Sequence, residues 1–138
     1  MMIRCLASLI AALAMVAGCA SATDCAKGEA CSCADFGACT YDCIDDNCTF
    51  RASGAGSATF TCDKGGCSLV ASGAGSVDFS CRGGDCTTTS SGQGSVSMTC
   101  PGGGCTMTCS GQGDCHLSFC TSGCAIECTA ITAICSGP

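Results

Sequence analysis

From Cys48 onward, apolar and polar residues alternate with period two. Cys48, Phe50 and Ala52 fall on one face of an extended segment, and Thr49 and Arg51 on the other. After Ser53-Gly54-Ala55-Gly56 the alternation resumes, with Ala58, Phe60 and Cys62 set against Ser57, Thr59 and Thr61. This pattern predicts a strand, a Gly-rich turn, a second strand and a second Gly-rich turn. Gly54, Gly56, Gly65 and Gly66 are expected to supply the positive φ that such turns use. No segment beyond residue 18 shows the apolar period of an amphipathic helix.

The unit recurs. Cys48, Cys67, Cys86, Cys105 and Cys124 are spaced 19 residues apart, as are Cys43, Cys62, Cys81 and Cys100. A fixed period this short is the signature of a repeat architecture. The inward positions then form ladders: Phe60, Phe79, Met98, Leu117; Phe50, Leu69, Thr88, Met107, Ile126; and Ala52, Ala71, Ser90, Cys109, Cys128. Outward positions are mostly Ser and Thr. A single antiparallel meander would leave one apolar face uncovered, and no sequence remains to cover it. The pattern therefore predicts an all-β, short, disulfide-stapled β-solenoid of 19-residue coils. Each coil carries two short strands, and equivalent residues stack about 4.8 Å apart. A narrow antiparallel β-barrel is the alternative. One irregularity interrupts the period: Cys is expected at 119, where Phe119 stands, and Cys120 follows. A bulge and a shortened turn, Thr121-Ser122-Gly123, would absorb it.

Composition changes the picture through cysteine. Of 20 cysteines in 138 residues, Cys5 and Cys19 lie in the first 19 residues, which leaves 18 for the repeat domain. That density marks a disulfide scaffold. Almost every cysteine has a neighbour across one turn. The inferred pairs are Cys25–Cys31, Cys33–Cys39, Cys43–Cys48, Cys62–Cys67, Cys81–Cys86, Cys100–Cys105, Cys109–Cys115, Cys120–Cys124 and Cys128–Cys135. Sequence alone does not fix connectivity, and stacked coils could instead exchange partners. The apolar positions are filled by Ala, Val, Cys, Met and a few Phe, so the core is small. A staple closing a loop of about six residues contributes something near 2 kcal/mol on the chain-entropy model.

The start of the chain carries a different pattern. Arg4 precedes an apolar run from Leu6 to Ala17, which is shorter than the about 20 residues a spanning helix needs and has the length of a secretory signal core. It ends in Val16-Ala17-Gly18-Cys19, which resembles the lipobox of bacterial lipoproteins, with Val16 where Leu is commonest. The resemblance implies that residues 1–18 are a signal peptide. It implies that Cys19 becomes the first residue, lipidated on its thiol, and that residues 19–24 form a short tether to a solenoid at 25–138. Two or three acyl chains would anchor the protein stably. The implied location is the bacterial cell envelope, in the outer membrane if the cell has one, and the implied partner is the membrane itself. The Ser-Gly-x-Gly-Ser-Val runs with their cysteine staples also resemble the Gly/Cys-rich repeat lipoproteins of predatory and fruiting soil bacteria, many of unknown function.

Candidate chemistry is sparse. Beyond residue 18 there are eleven Asp and Glu against four Lys and Arg, a net charge of −7. No basic patch is available for nucleic acid. Cys31-Ser32-Cys33 has a chelating look, but the spacing is not that of paired zinc knuckles, and an oxidising compartment favours disulfides. Asp42, Asp45, Asp46 and Asn47 offer oxygen ligands without the Ca²⁺-loop frame and read as a turn. His116 is the only histidine and lies outward without a nucleophile. No catalytic residue, metal ligand or cofactor is expected. The expected role is a structural or surface-interaction lipoprotein that contacts an envelope protein or glycan. Two alternatives are an ice- or surface-binding solenoid, suggested by the Thr87/Thr89 and Thr106/Thr108 rows, and a metal-binding Cys-rich protein.

Overall fold

The computed structural model describes residues 23–130 and 132–137. Thirteen short strands follow one another: β1 (Thr23–Cys25), β2 (Ala30–Cys33), β3 (Cys39–Cys43), β4 (Thr49–Ala52), β5 (Ala58–Cys62), β6 (Ser68–Ala71), β7 (Val77–Cys81), β8 (Thr87–Ser90), β9 (Val96–Thr99), β10 (Thr106–Cys109), β11 (Cys115–Ser118), β12 (Ala125–Cys128) and β13 (Cys135–Ser136). The odd strands form one sheet in the order β1-β3-β5-β7-β9-β11-β13, and the even strands a second in the order β2-β4-β6-β8-β10-β12. Every pairing is parallel. The fold is a parallel β-solenoid of about six coils. The antiparallel barrel is excluded by the pairing itself. Parallel neighbours need a crossover between them, and here the strand of the opposite sheet makes that crossover within each coil.

Register follows the 19-residue period through the body of the stack. Phe50 lies beside Leu69, Leu69 beside Thr88, Met107 beside Thr88, and Ile126 beside Met107. The terminal coils depart from the period. Cys25 pairs with Cys43, 18 residues on, and Cys115 with Cys135, 20 residues on. The first turn has one residue fewer than its successors. Cys31 therefore sits in the Phe50 column, and the first staple reaches into the core.

The inward columns fill the space between the sheets. Phe50, Phe60, Leu69, Met98 and Met107 are fully buried. Full burial of such a side chain contributes about 1.5–3 kcal/mol relative to exposure. Phe50 stacks on Phe60 with ring centroids 4.8 Å apart and meets Phe79 edge-on at 5.8 Å. Tyr41 continues this aromatic column beside Phe60 at 6.2 Å, and its hydroxyl donates to the Ser32 carbonyl at 3.2 Å. Thr88 is buried in the otherwise apolar column and directs its hydroxyl to the Met98 sulfur at 3.4 Å.

The two sets of turns use glycine for different reasons. Gly65 and Gly66 have φ of 88° and 71°, in the left-handed region. In the same column as Gly66, Asn47 and Asp85 adopt φ of 59° and 54°, a conformation that Asn and Asp tolerate better than other side chains. Gly54 and Gly56 do not have positive φ, contrary to the expectation from sequence. What requires them is close approach: a Cβ on Gly54 would run into the carbonyl oxygen of Asp35, and one on Gly56 into that of Gly37. The Ser-Gly-x-Gly turns stack backbone on backbone, joined by bonds such as Gln112 N–H to the Gly92 carbonyl at 2.9 Å. At the irregular coil, Phe119 takes a φ of 54° and is 78% exposed. The following staple joins cysteines only four positions apart, across the three-residue turn Thr121-Ser122-Gly123. Register is restored at once, with Ala125 beside Thr106.

Candidate functional site

The repeat gives the molecule four long walls: two sheet faces and two stacks of turns. One turn wall carries disulfides Cys25–Cys31, Cys43–Cys48, Cys62–Cys67, Cys81–Cys86, Cys100–Cys105 and Cys120–Cys124. The opposite wall carries Cys33–Cys39 near one end, and Cys109–Cys115 and Cys128–Cys135 at the other. All nine bonds lie within single coils. Cys31 and Cys33, adjacent in sequence and suggestive of chelation, belong to staples on opposite walls. Several groups of three cysteine sulfurs approach within 4.8 Å of one another. They are bonded in pairs as disulfides, and the thiolate is the form of cysteine that ligates metal.

The acidic turn residues are engaged in ion pairs between coils. Lys27 Nζ lies 2.7 Å from Asp46, Lys64 Nζ 3.2 Å from Asp45, and Arg82 Nη1 3.0 Å from Asp63. Each pair is 19 residues apart, so the charges obey the same period as the cysteines. The signal was present in the sequence as i and i+19 opposite charges. Exposed charges add nothing to the apolar alternation, so this period does not show in the hydrophobic pattern. The hydrogen bond from Lys27 holds the Asp46 carboxyl below its usual range, and Asp46 in turn raises the Lys27 ammonium. Lys27 is exposed and Asp46 partly so, and salt therefore weakens this coupling. A shallow hollow beside the pairs is lined by Asn47, Lys64, Gly65, Gly84 and Asp85. With Asp45 and Asp46 each holding a lysine, the Asp45-Asp46-Asn47 segment is a turn tied to its neighbours.

The sheet faces present short hydroxyl side chains. On the six-stranded sheet, Thr87 and Thr89 lie directly beside Thr106 and Thr108. The flanking rows are Ser68/Val70 and Ala125/Glu127. The seven-stranded sheet carries Thr59, Asp78, Ser97 and His116 along one outward row. His116 contacts the Ser136 hydroxyl through Nδ1. This contact corrects the expectation from sequence that His116 stands without a nucleophile: it brings a hydroxyl to the ring. Among the described residues no carboxylate is hydrogen-bonded to the imidazole, so the group that would orient the base in a triad is not in place. Among the described residues, four large apolar side chains are exposed: Phe36, Ile44, Phe119 and Ile134. Phe36 and Ile44 belong to the first coils, and Phe119 and Ile134 to the last. Cys19 and the signal segment 1–18 lie outside the described residues. No helix among the described residues is long and apolar enough to cross a membrane. Comparison with protein-family models, with curated proteins and with solved structures found no match to this chain.

Proposed function

We propose that the chain is a non-catalytic cell-envelope lipoprotein, a rigid post that is lipid-anchored through Cys19 and offers its hydroxyl-rich walls to an envelope protein or glycan. The observation that carries this reading is the position of the first strand. β1 begins at Thr23, four peptide steps after Cys19 in Val16-Ala17-Gly18-Cys19. Even fully extended, four residues reach no more than about 14 Å. A lipid on Cys19 would therefore hold the first coil against the membrane surface. The stack adds about 4.8 Å per coil, so the last coil would stand clear of the bilayer with Phe119 and Ile134 exposed. A small domain stapled at least once in each coil is suited to this role, because it keeps its shape outside the cell without a large core. The two adjacent Thr-x-Thr rows are flanked by Val70 and Glu127, which favours contact with a macromolecular partner over a regular ice-like lattice.

Cys19→Ser is the test. The wild type should label with palmitate and partition with membranes. The variant should be released, or remain as an unprocessed precursor. A variant that is cleaved correctly yet still partitions with membranes would overturn the anchor.

A further inference from the structure

Parallel, in-register stacking does more than repeat the disulfides. It places them against one another. The sulfurs of Cys43, Cys48 and Cys67 lie within 4.8 Å of one another, as do those of Cys62, Cys67 and Cys86, and those of Cys81, Cys100 and Cys105. Four staples, Cys43–Cys48, Cys62–Cys67, Cys81–Cys86 and Cys100–Cys105, thus form an unbroken column. None of their eight cysteines is more than 1% exposed. In the closed stack external thiols and oxidants are shut out, and each sulfur's available reaction partner is the staple of the next coil. Thiol–disulfide exchange needs only a thiolate, a disulfide within reach and a displaced sulfur.

We propose that this column is a thiol relay, in which a single unpaired thiol moves from coil to coil by exchange while the fold stays intact. An exogenous small-molecule thiolate that reaches Cys43 during a local opening of the first coils forms a mixed disulfide there and releases Cys48 as the thiolate. The Cys48 thiolate attacks the Cys67 sulfur. The Cys48–Cys67 bond forms as Cys62–Cys67 breaks, and Cys62 leaves as the thiolate. Cys62 then attacks Cys86, forming Cys62–Cys86 and releasing Cys81. Cys81 attacks Cys100 or Cys105 and releases the other. Each step makes one S–S bond and breaks one, and the proton lost by the attacking sulfur is taken up by the leaving one. Beyond the initiating thiol, no oxidant or reductant is consumed. The new bonds are rungs between adjacent coils, which the stacking already holds side by side. The opposite wall has no unbroken column. Cys109 lies within 4.8 Å of Cys128 and Cys135, so the last two staples touch, but three coils whose Ser-Gly-x-Gly turns carry no cysteine lie between them and Cys33–Cys39.

Cys43→Ser leaves Cys48 unpaired and starts the relay. The purified variant is moved from acid, where exchange is frozen, to mildly alkaline buffer without denaturant. Exchange is then quenched in acid, the variant is unfolded in the presence of excess maleimide so that the buried thiol is alkylated as it becomes accessible, and it is cut with trypsin before reduction. Trypsin cleaves after Arg51, Lys64 and Arg82, between the members of the column. Exchange should join peptide 28–51 to peptide 65–82 through Cys48–Cys67, a link that native pairing does not make. Less than half of the alkylation should remain on Cys48, the rest appearing on Cys62, Cys81, Cys100 or Cys105. Alkylation confined to Cys48 with the native links retained would overturn the relay. So would links to Cys109 or Cys115, which would mean global scrambling. If Cys43→Ser does not fold, Cys100→Ser starts from the other end, and alkylation should move from Cys105 to Cys86 or Cys62. As a control, Cys33→Ser should keep its thiol on Cys39.

Discussion

Removal of one whole coil is the sharpest perturbation this fold allows. Deleting residues 67–85 takes out β6 and β7 and joins Gly66 to Cys86. Cys62 then lies five residues from Cys86, the separation that closes the native staples Cys62–Cys67 and Cys81–Cys86. Eight staples remain possible in place of nine. Phe50 comes to rest on Thr88 where Leu69 had been, and Phe60 on Met98 where Phe79 had been. The Phe50–Phe60 stack at 4.8 Å is kept, and the edge contact of Phe50 with Phe79 at 5.8 Å is lost. An aromatic pair contributes about 0.5–1.5 kcal/mol beyond burial. The larger loss is one coil's share of buried area. With about six coils, that is about one sixth of the total, and the denaturant m-value, which tracks exposed area, should fall by about the same fraction. The measurement is guanidinium unfolding under non-reducing conditions, with a free-thiol count to verify the staples. A fully oxidised variant that unfolds without a cooperative transition, or whose m-value falls by half, would refute coil-by-coil additivity. It would show that the aromatic column Tyr41, Phe60, Phe50 and Phe79 holds the stack as one indivisible unit.

Other outcomes follow from single residues. Phe79→Asp puts a charge at a position that is 2% exposed and should destabilise by about 4 kcal/mol or more, whereas Thr87→Asp on the outer face should stay within about 0.5 kcal/mol; equal effects in chemical unfolding would contradict the facing of these strands. Gly75→Ala drives a Cβ into the Gly56 carbonyl and should lose about 1–3 kcal/mol. Gly37→Ala meets nothing within 4 Å and should be neutral or gain up to about 1 kcal/mol, so thermal melts of the two should diverge. The Lys27–Asp46 pair makes a pH-dependent contribution at low salt. Asp46 is depressed, so its part is present above the ordinary carboxylate range and is lost as pH falls through the lowered value; Lys27 is raised, so its part is lost as pH rises through the raised value. Melting temperatures across pH should lose both dependences in Asp46→Asn, and a dependence unchanged in that variant would assign it to other groups.

Coil length, inward columns and turn staples were legible in the sequence because each rests on a strict period. Phe60 and Phe79 are equivalent residues 19 apart, and a parallel stack is the arrangement that brings such equivalents side by side. The terminal coils were harder to read. Cys25 and Cys115 have partners 18 and 20 residues on, since a turn that loses or gains one residue shifts every later position without altering the strand pattern. Gly54 and Gly65 look alike in sequence, yet Gly54 answers to a neighbouring carbonyl alone and Gly65 to both a neighbouring carbonyl and a left-handed φ. Two distinct physical demands select the same residue, and composition does not separate them. The charge pairs were legible in principle, being 19 apart, but exposed charges carry no apolar signal. For the candidate site, the hydroxyl rows could be read from the alternation, while the lipid attachment proposed for Cys19 rests on the resemblance of its motif alone.

The short reach of the staples bears on how such a chain is made. Every disulfide joins cysteines four to seven positions apart, and each coil finds its partners in the coil completed just before it. Nothing in the body of the stack waits for a distant segment to arrive. A chain that emerges from its N-terminus can therefore lay down each coil, and close its staples wherever oxidation is available, in the order in which the coils appear. The unfinished protein then exposes only one growing edge at a time, whatever the final number of coils. Synthesis order and folding order coincide, so lengthening the protein by another repeat would add time to its assembly without adding a new search.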